Sequence, residues 1–470
     1  MLHHDARGRL KAASLMIGAL AAALSLGARA WADEDSAGAD DNDKYILAWA
    51  GDHDDQHSDF LAVIDADPKS KTYGKVLKTY TLPPGVDKVN EPHHMNHQVS
   101  PNCKLYAGGL LSGRVFIFDV RNPLNIPAPR VLSAGVDFPF TVPDDFQFLP
   151  NGNVLGTFVG SMNLTSPGGV VEFDPDGNVV SWFPVGDDTT ANPHGISVKP
   201  DINRLVTSGF GVPITLFSAH DFYEIWTHSN VRIFDLTTRE LLHIVPLPTG
   251  PRYAASNGDP KQRENFAVME VAFLQGAGKK GFFASAMGGG GLYYCPDATS
   301  ASPECHLVYD AGYNSGLGVL HISSDDRYLV MPMSTVGQGN TPKRVVVFDI
   351  SDPMHPQVRQ ELTVPDSTTG GPHFGTWNSS ETRYAWTDYF VDDSRIPVKV
   401  DGDHRLYMTR WKNGKLHVDR RFRDESDHQL GVNFNRVSWP HGNSGPAAAH
   451  GFVFMPKRCV PDPDAPVRLH

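Results

Sequence analysis

Three histidines hold matching places in three similar stretches of this sequence. His94 lies in Pro92-His93-His94-Met95-Asn96-His97, His194 in Pro193-His194-Gly195-Ile196, and His373 in Pro372-His373-Phe374-Gly375. Each is followed ten positions later by a basic residue that opens an apolar run: Lys104, Arg204 and Arg383. Neutral imidazoles suit copper, iron and zinc, whereas calcium and magnesium take oxygen donors. Three or four imidazoles without a thiolate leave coordination positions open, which fits redox or O2 chemistry better than a closed structural site. A single histidine at a strand start more often satisfies backbone groups. Three in one register, each close behind a proline, favour a metal.

The register extends to other segments. Asp144, nine positions before Asn153, stands in Pro143-Asp144-Asp145-Phe146, and Glu270 stands ten before Lys280. Near the C-terminus, Ala448-Ala449-His450-Gly451 supplies a fourth imidazole. The expected metal ligands are therefore His94, His194, His373 and His450. Asp144 and Glu270 are expected to orient the ligand rings or move protons. His93 alternates with His94, so along a regular strand it faces away; it becomes a second ligand if the strand begins in a bend. His97 reads as packed or surface-exposed, and His321 and His441 carry weaker claims. His3 and His4 fall in a segment expected to be cleaved.

Histidines this far apart can meet only if the elements carrying them repeat around a common centre. Such a repeat is visible. An apolar strand ending in Asp or its equivalent recurs as Ala62-Val63-Ile64-Asp65, Phe116-Ile117-Phe118-Asp119, Val171-Glu172-Phe173-Asp174, Arg232-Ile233-Phe234-Asp235, Leu292-Tyr293-Tyr294-Cys295, Val346-Val347-Phe348-Asp349 and Leu406-Tyr407-Met408. The first six are 54 to 61 residues apart. Short strands, Gly/Pro/Asp/Asn turns and no helical period give an all-β chain. Seven repeats of four strands predict a seven-bladed β-propeller over residues 44–470, with the N- and C-terminal strands sharing a closing blade. A pair of sandwich domains would break the repeat, which runs unbroken from Asp65 to Met408.

Residues 1–32 read as a cleaved secretory signal: Arg7, Arg9 and Lys11, a small apolar run, then Ala28-Arg29-Ala30 and Ala30-Trp31-Ala32. Residues 33–43 form an acidic leader expected to be disordered. The expected location is the periplasm. The chain carries a net −12, and removing the +3 of residues 1–30 leaves −15. That charge argues against nucleic acid and anionic membrane surfaces as partners. Small-molecule substrate and O2 are the expected ones. In an oxidising compartment the short loop between Cys295 and Cys305 favours a disulfide, and Cys103 and Cys459 either bridge the chain ends or stay free. Gly288 to Gly291 lacks the Lys-Ser/Thr of a phosphate loop, and no G-x-S-x-G elbow is present.

The chain resembles the selenium-binding protein family, whose bacterial members include periplasmic methanethiol oxidases. The resemblance rests on Asp59-Phe60-Leu61-Ala62-Val63-Ile64-Asp65-Ala66-Asp67-Pro68-Lys69-Ser70 with Tyr73 and Val76, and then on the His93-His94 pair. Ser324-Asp325-Asp326-Arg327-Tyr328-Leu329, Phe348-Asp349-Ile350-Ser351-Asp352-Pro353, Gly370-Gly371-Pro372 and Ala448-Ala449-His450 follow in the family's order. It implies a seven-bladed propeller and, for the oxidase members, a copper centre turning methanethiol and O2 into formaldehyde, hydrogen sulfide and hydrogen peroxide. Where the family carries a histidine in Ile-His-Ala-Lys-Cys, this chain reads Val142-Pro143-Asp144-Asp145, and only Cys103 remains of the cysteine-containing segment after the His pair. His194 and His373 stand where the family usually carries other residues. The expected activity is a copper-dependent oxidase of a small thiol or related substrate, with iron as the alternative metal. A non-haem iron oxygenase of carotenoid- or stilbene-cleavage type, similar only in its ring of histidines, and a non-enzymatic metal- or selenium-binding propeller are the alternatives.

Overall fold

The computed structural model describes residues 43–184, 188–334, 343–363 and 371–460. The expected signal and the leader up to residue 42 lie outside the described residues. Among the described residues, seven antiparallel sheets of four or more strands follow one another along the chain, as the repeat predicts, beside a two-stranded hairpin of Ser438–Trp439 and Gly442–Asn443. Blade 1 spans Pro92–Ser133, blade 2 Phe140–Phe183, blade 3 Ile196–Pro246, blade 4 Val268–Asp310, blade 5 His321–Thr363 and blade 6 Gly375–Val418. Blade 7 joins the two ends of the chain. Its innermost strand is Ala447–Phe454, paired with Tyr45–Asp52, then Phe60–Asp65 and Val76–Thr81.

The recurring apolar run is the third strand from the axis in every blade. It reads as continuous rather than alternating because both faces of a blade are covered by neighbouring blades. Ile46, Ala48 and Ala50 pack with Phe374, Leu406 and Met408 of blade 6. Leu47 and Trp49, on the other face of the same strand, pack with Leu105, Phe116 and Phe118 of blade 1. The core is thus distributed between blades. The outermost strand of blade 5, Gln357–Thr363, is largely exposed.

Two disulfides are present and no cysteine is free. Cys295–Cys305 closes the short loop expected from sequence. Cys103–Cys459, 356 residues apart in sequence, fastens the segment after the last strand to the turn of blade 1. Beside it, Arg458 donates to the Val99 carbonyl at 2.6 Å. The open question about the chain ends is thereby resolved as a bridge.

Candidate metal centre

The innermost strands are irregular at the residues that reach the axis. Pro92 pairs with Gly109 and Met95 with Ala107, so the strand carrying His93 and His94 has one residue more than its partner. The same extra residue occurs between Pro143 and Phe146, between Val268 and Glu270, and between Ala449 and Phe452. A β-bulge of this kind turns successive side chains toward one side of the sheet. Glu91, Val142 and Ala267, just ahead of three of these bulges, have φ of 51°, 60° and 57°. Such values are rare for residues with a Cβ and recur where a site over-determines the backbone.

The bulged strands bring in His94, Asp144, Glu270 and His450, and His194 and His373 join them from the segments just ahead of their own strands. His94, His373 and His450 are fully buried, and His194, Asp144 and Glu270 are no more than 3% exposed. His93, which a regular strand would turn away, is also inside, its ring 3.8 Å from that of His450 between centroids. By pairing, Asp144 stands in blade 2 where His93 stands in blade 1. Ligand atoms of His93, His94, Asp144 and His194 lie within 4.8 Å of one another, and so do those of His94, His373 and His450. The four predicted histidines are brought together, in two sets meeting at His94. Asp144, expected to orient ligands, stands among the ligand atoms themselves.

His94 Nδ1 lies 3.0 Å from Asp144 Oδ1, His194 Nε2 3.1 Å from Asp144 Oδ2, and His194 Nδ1 3.2 Å from Glu270 Oε1. Yet both oxygens of Asp144, Glu270 Oε1, both nitrogens of His94 and His373, and one each of His93, His194 and His450 make no aligned hydrogen bond among the described residues. An orphaned buried polar atom costs about 1–3 kcal/mol. Buried imidazole nitrogens and carboxylate oxygens that face one another without satisfying hydrogen bonds are an arrangement a cation resolves, so the donor set fits a metal ion. His450 Nδ1 donates to the Phe390 carbonyl at 2.8 Å, leaving Nε2 as a donor pair for a metal. Thr157 and Thr387 hydroxyls hold the carbonyls of His194 and His450. Gly195 is required beside His194: a Cβ there would lie 2.5 Å from Glu270 Oε2.

Burial, reinforced by the neighbouring imidazoles, pushes His93, His94, His373 and His450 well below the usual histidine range. They stand neutral, in the form that ligates. Burial lifts the Asp144 carboxyl to about 7 and Glu270 well above the usual range. Burial also opposes the Asp145 carboxylate, but His97, with Nε2 3.0 Å from Asp145 Oδ1, holds it low. His97 in turn meets His321 at 3.0 Å. From sequence, His97 reads as packed or surface-exposed and His321 carries only a weaker claim to the site. His441 is bound to Thr79 and Ser444 and is absent from both ligand sets.

Two openings flank the cluster. One is a pocket of about 40 Å³ with His93, Asp144 and His194 as its polar floor, walled by Val142, Val159, Phe210, Phe390, Ile396 and other apolar side chains. The other is a polar channel of about 580 Å³ lined by Glu270, Asp145, His97 and His321 among others. The segment carrying Phe390 and Ile396 gave no sequence signal. The doublets His93-His94 and Asp144-Asp145 both fall on the bulged stretches of their inner strands.

Fold and site together define a seven-bladed propeller whose innermost strands bring together a buried cluster of histidines and carboxylates that could hold a metal ion. Residues 31–269 match the 56 kDa selenium-binding protein family, and this chain belongs to it. Methanethiol oxidase of Hyphomicrobium is 30% identical over 159 residues, 33% of this chain and 35% of that protein. Methanethiol oxidase of Ruegeria pomeroyi is 26% identical over 387 residues, covering 72% of this chain and 79% of that one. Among solved structures, a protein described as a hypothetical selenium-binding protein from Sulfolobus tokodaii shares the fold. Its TM-score is 0.68 at 17% identity, over 87% of this chain and 93% of that chain.

Proposed function

We propose that this chain is a periplasmic, copper-dependent oxidase of a small thiol, acting as the name of its methanethiol oxidase relatives describes. The observation that carries the reading is the ring of buried, unpartnered imidazole nitrogens and carboxylate oxygens beneath an apolar pocket. His93, His94, Asp144 and His194 would hold the ion. Copper supplies the redox chemistry by which methanethiol, O2 and water become formaldehyde, hydrogen sulfide and hydrogen peroxide.

The chain's own residues do the rest. Val142, Val159, Phe210 and Phe390 exclude bulk water and accept a methyl-sized apolar group while leaving its sulfur over the polar floor. Glu270 lies between His194 and the polar channel, where Oε1 can exchange a proton with His194 Nδ1 at 3.2 Å. Placement in the periplasm rests on the basic, apolar and A-x-A pattern of the N-terminus together with two disulfides. The test is elemental analysis of the purified chain with O2 uptake in the presence of methanethiol. Bound copper with thiol-dependent uptake is expected. Bound iron without thiol oxidation would move the protein to the oxygenase class, and metal without turnover to the carriers.

A further inference from the structure

The two ligand sets overlap only at His94. Its Nδ1 faces the first set, 3.0 Å from Asp144 Oδ1 and 3.9 Å from Glu270 Oε1. Its Nε2, on the other edge of the ring, is buried and has no partner. The ring centroid lies 4.8 Å from that of His450 and 5.9 Å from that of His373. His450 has only Nε2 left, because Phe390 takes Nδ1. His373 has both nitrogens buried and unpartnered, with the Phe390 ring tilted against it at 4.3 Å between centroids. An imidazole–imidazole hydrogen bond would relieve two of these atoms at once, yet none forms.

We propose, resting on the metal-centre reading above, that the axis holds two metal ions, with His94 shared between them. Nδ1 of His94 serves the ion of His93, Asp144 and His194, and Nε2 serves a second ion held with His373 and His450. When the second ion enters, the His94 ring releases its remaining N–H proton to the buffer, and no electron moves. The second set contains no carboxylate. Three imidazole nitrogens select copper or zinc over calcium and magnesium.

The experiment is a count of bound ions. The full chain is stripped with chelator, loaded with copper(II), desalted and analysed for copper per chain, with its spin count read by electron paramagnetic resonance. Two copper ions per chain are expected, with fewer than two spins because a shared imidazole couples them. His373→Ala is expected to bind one, and His373→Gln, which fills more of the space, repeats the measurement should the smaller residue fail to fold. One copper in the native chain overturns the second site and leaves the oxidase reading standing. No copper overturns both. Two in the native chain and two in a folded His373 variant place the extra ion elsewhere and also overturn the proposal.

Discussion

The two disulfides should stabilise the fold very unequally, because they close loops of very different length. In the chain-entropy description, cross-linking removes about 2.1 + 1.5R ln n cal/mol/K from the unfolded ensemble. For the 356-residue separation of Cys103 and Cys459 this is about 6 kcal/mol at room temperature, and for the ten-residue separation of Cys295 and Cys305 about 3 kcal/mol. Unfolding entropy of roughly 2.1 cal/mol/K per residue gives about 0.9 kcal/mol per kelvin over the span Tyr45 to Phe454. Replacing Cys103 and Cys459 together by Ser should therefore lower Tm by about 7 °C, against about 3 °C for the Cys295 and Cys305 pair. Differential scanning calorimetry of the two double variants and the native chain measures both. Equal losses, or a larger loss for the short loop, would refute the idea that the long bridge acts by restricting the unfolded chain.

Three further outcomes follow from the site and its surroundings. His194→Ala removes one of four ligand atoms of the first set and should weaken copper binding there by more than about 100-fold; competition against a chelator reads this, and unchanged affinity removes His194 from the site. Val159→Phe should fill the apolar pocket, lowering thiol turnover by about 100-fold while bound copper stays constant; full turnover would mean that substrate enters by the polar channel. Burial lifts the Asp59 carboxyl to about 7, against hydrogen bonds from Asn90 and the Asp52 amide. The stability that this protonated carboxyl contributes is complete below its unfolded value of 3.8 and is lost as pH rises through about 7. Asp59→Asn should thus gain on the native chain between pH 4 and pH 8, by up to about 4 kcal/mol, and a pH-independent difference in Tm would contradict the assignment.

The blades were legible because a strand buried on both faces leaves an unbroken apolar run, as in Ala62-Val63-Ile64 and Val346-Val347-Phe348. His94, His194 and His373 were legible because each has the same distance to the residue opening the second strand. What spacing alone does not reveal is an extra residue in an inner strand. Period-two alternation turns His93 outward, and only the pairing of Met95 with Ala107 shows why it does not. Glu91, Val142 and Ala267 take positive φ without being Gly or Asn, so no turn chemistry announces the bulges. The pairing of His97 with Asp145 and His321, and the closure of the pocket by Phe390 and Ile396, arise between distant segments and leave no local pattern.

The closing blade sets an order of events for a growing chain. His93 and His94 are made early, whereas His450 and the strand that seals the ring come last. A chain truncated before Ala447 lacks the wall against which His93 packs as well as one of the imidazoles. The trio of His94, His373 and His450 is therefore complete only in the finished polypeptide, whereas His93, His94, Asp144 and His194 are all made before residue 195.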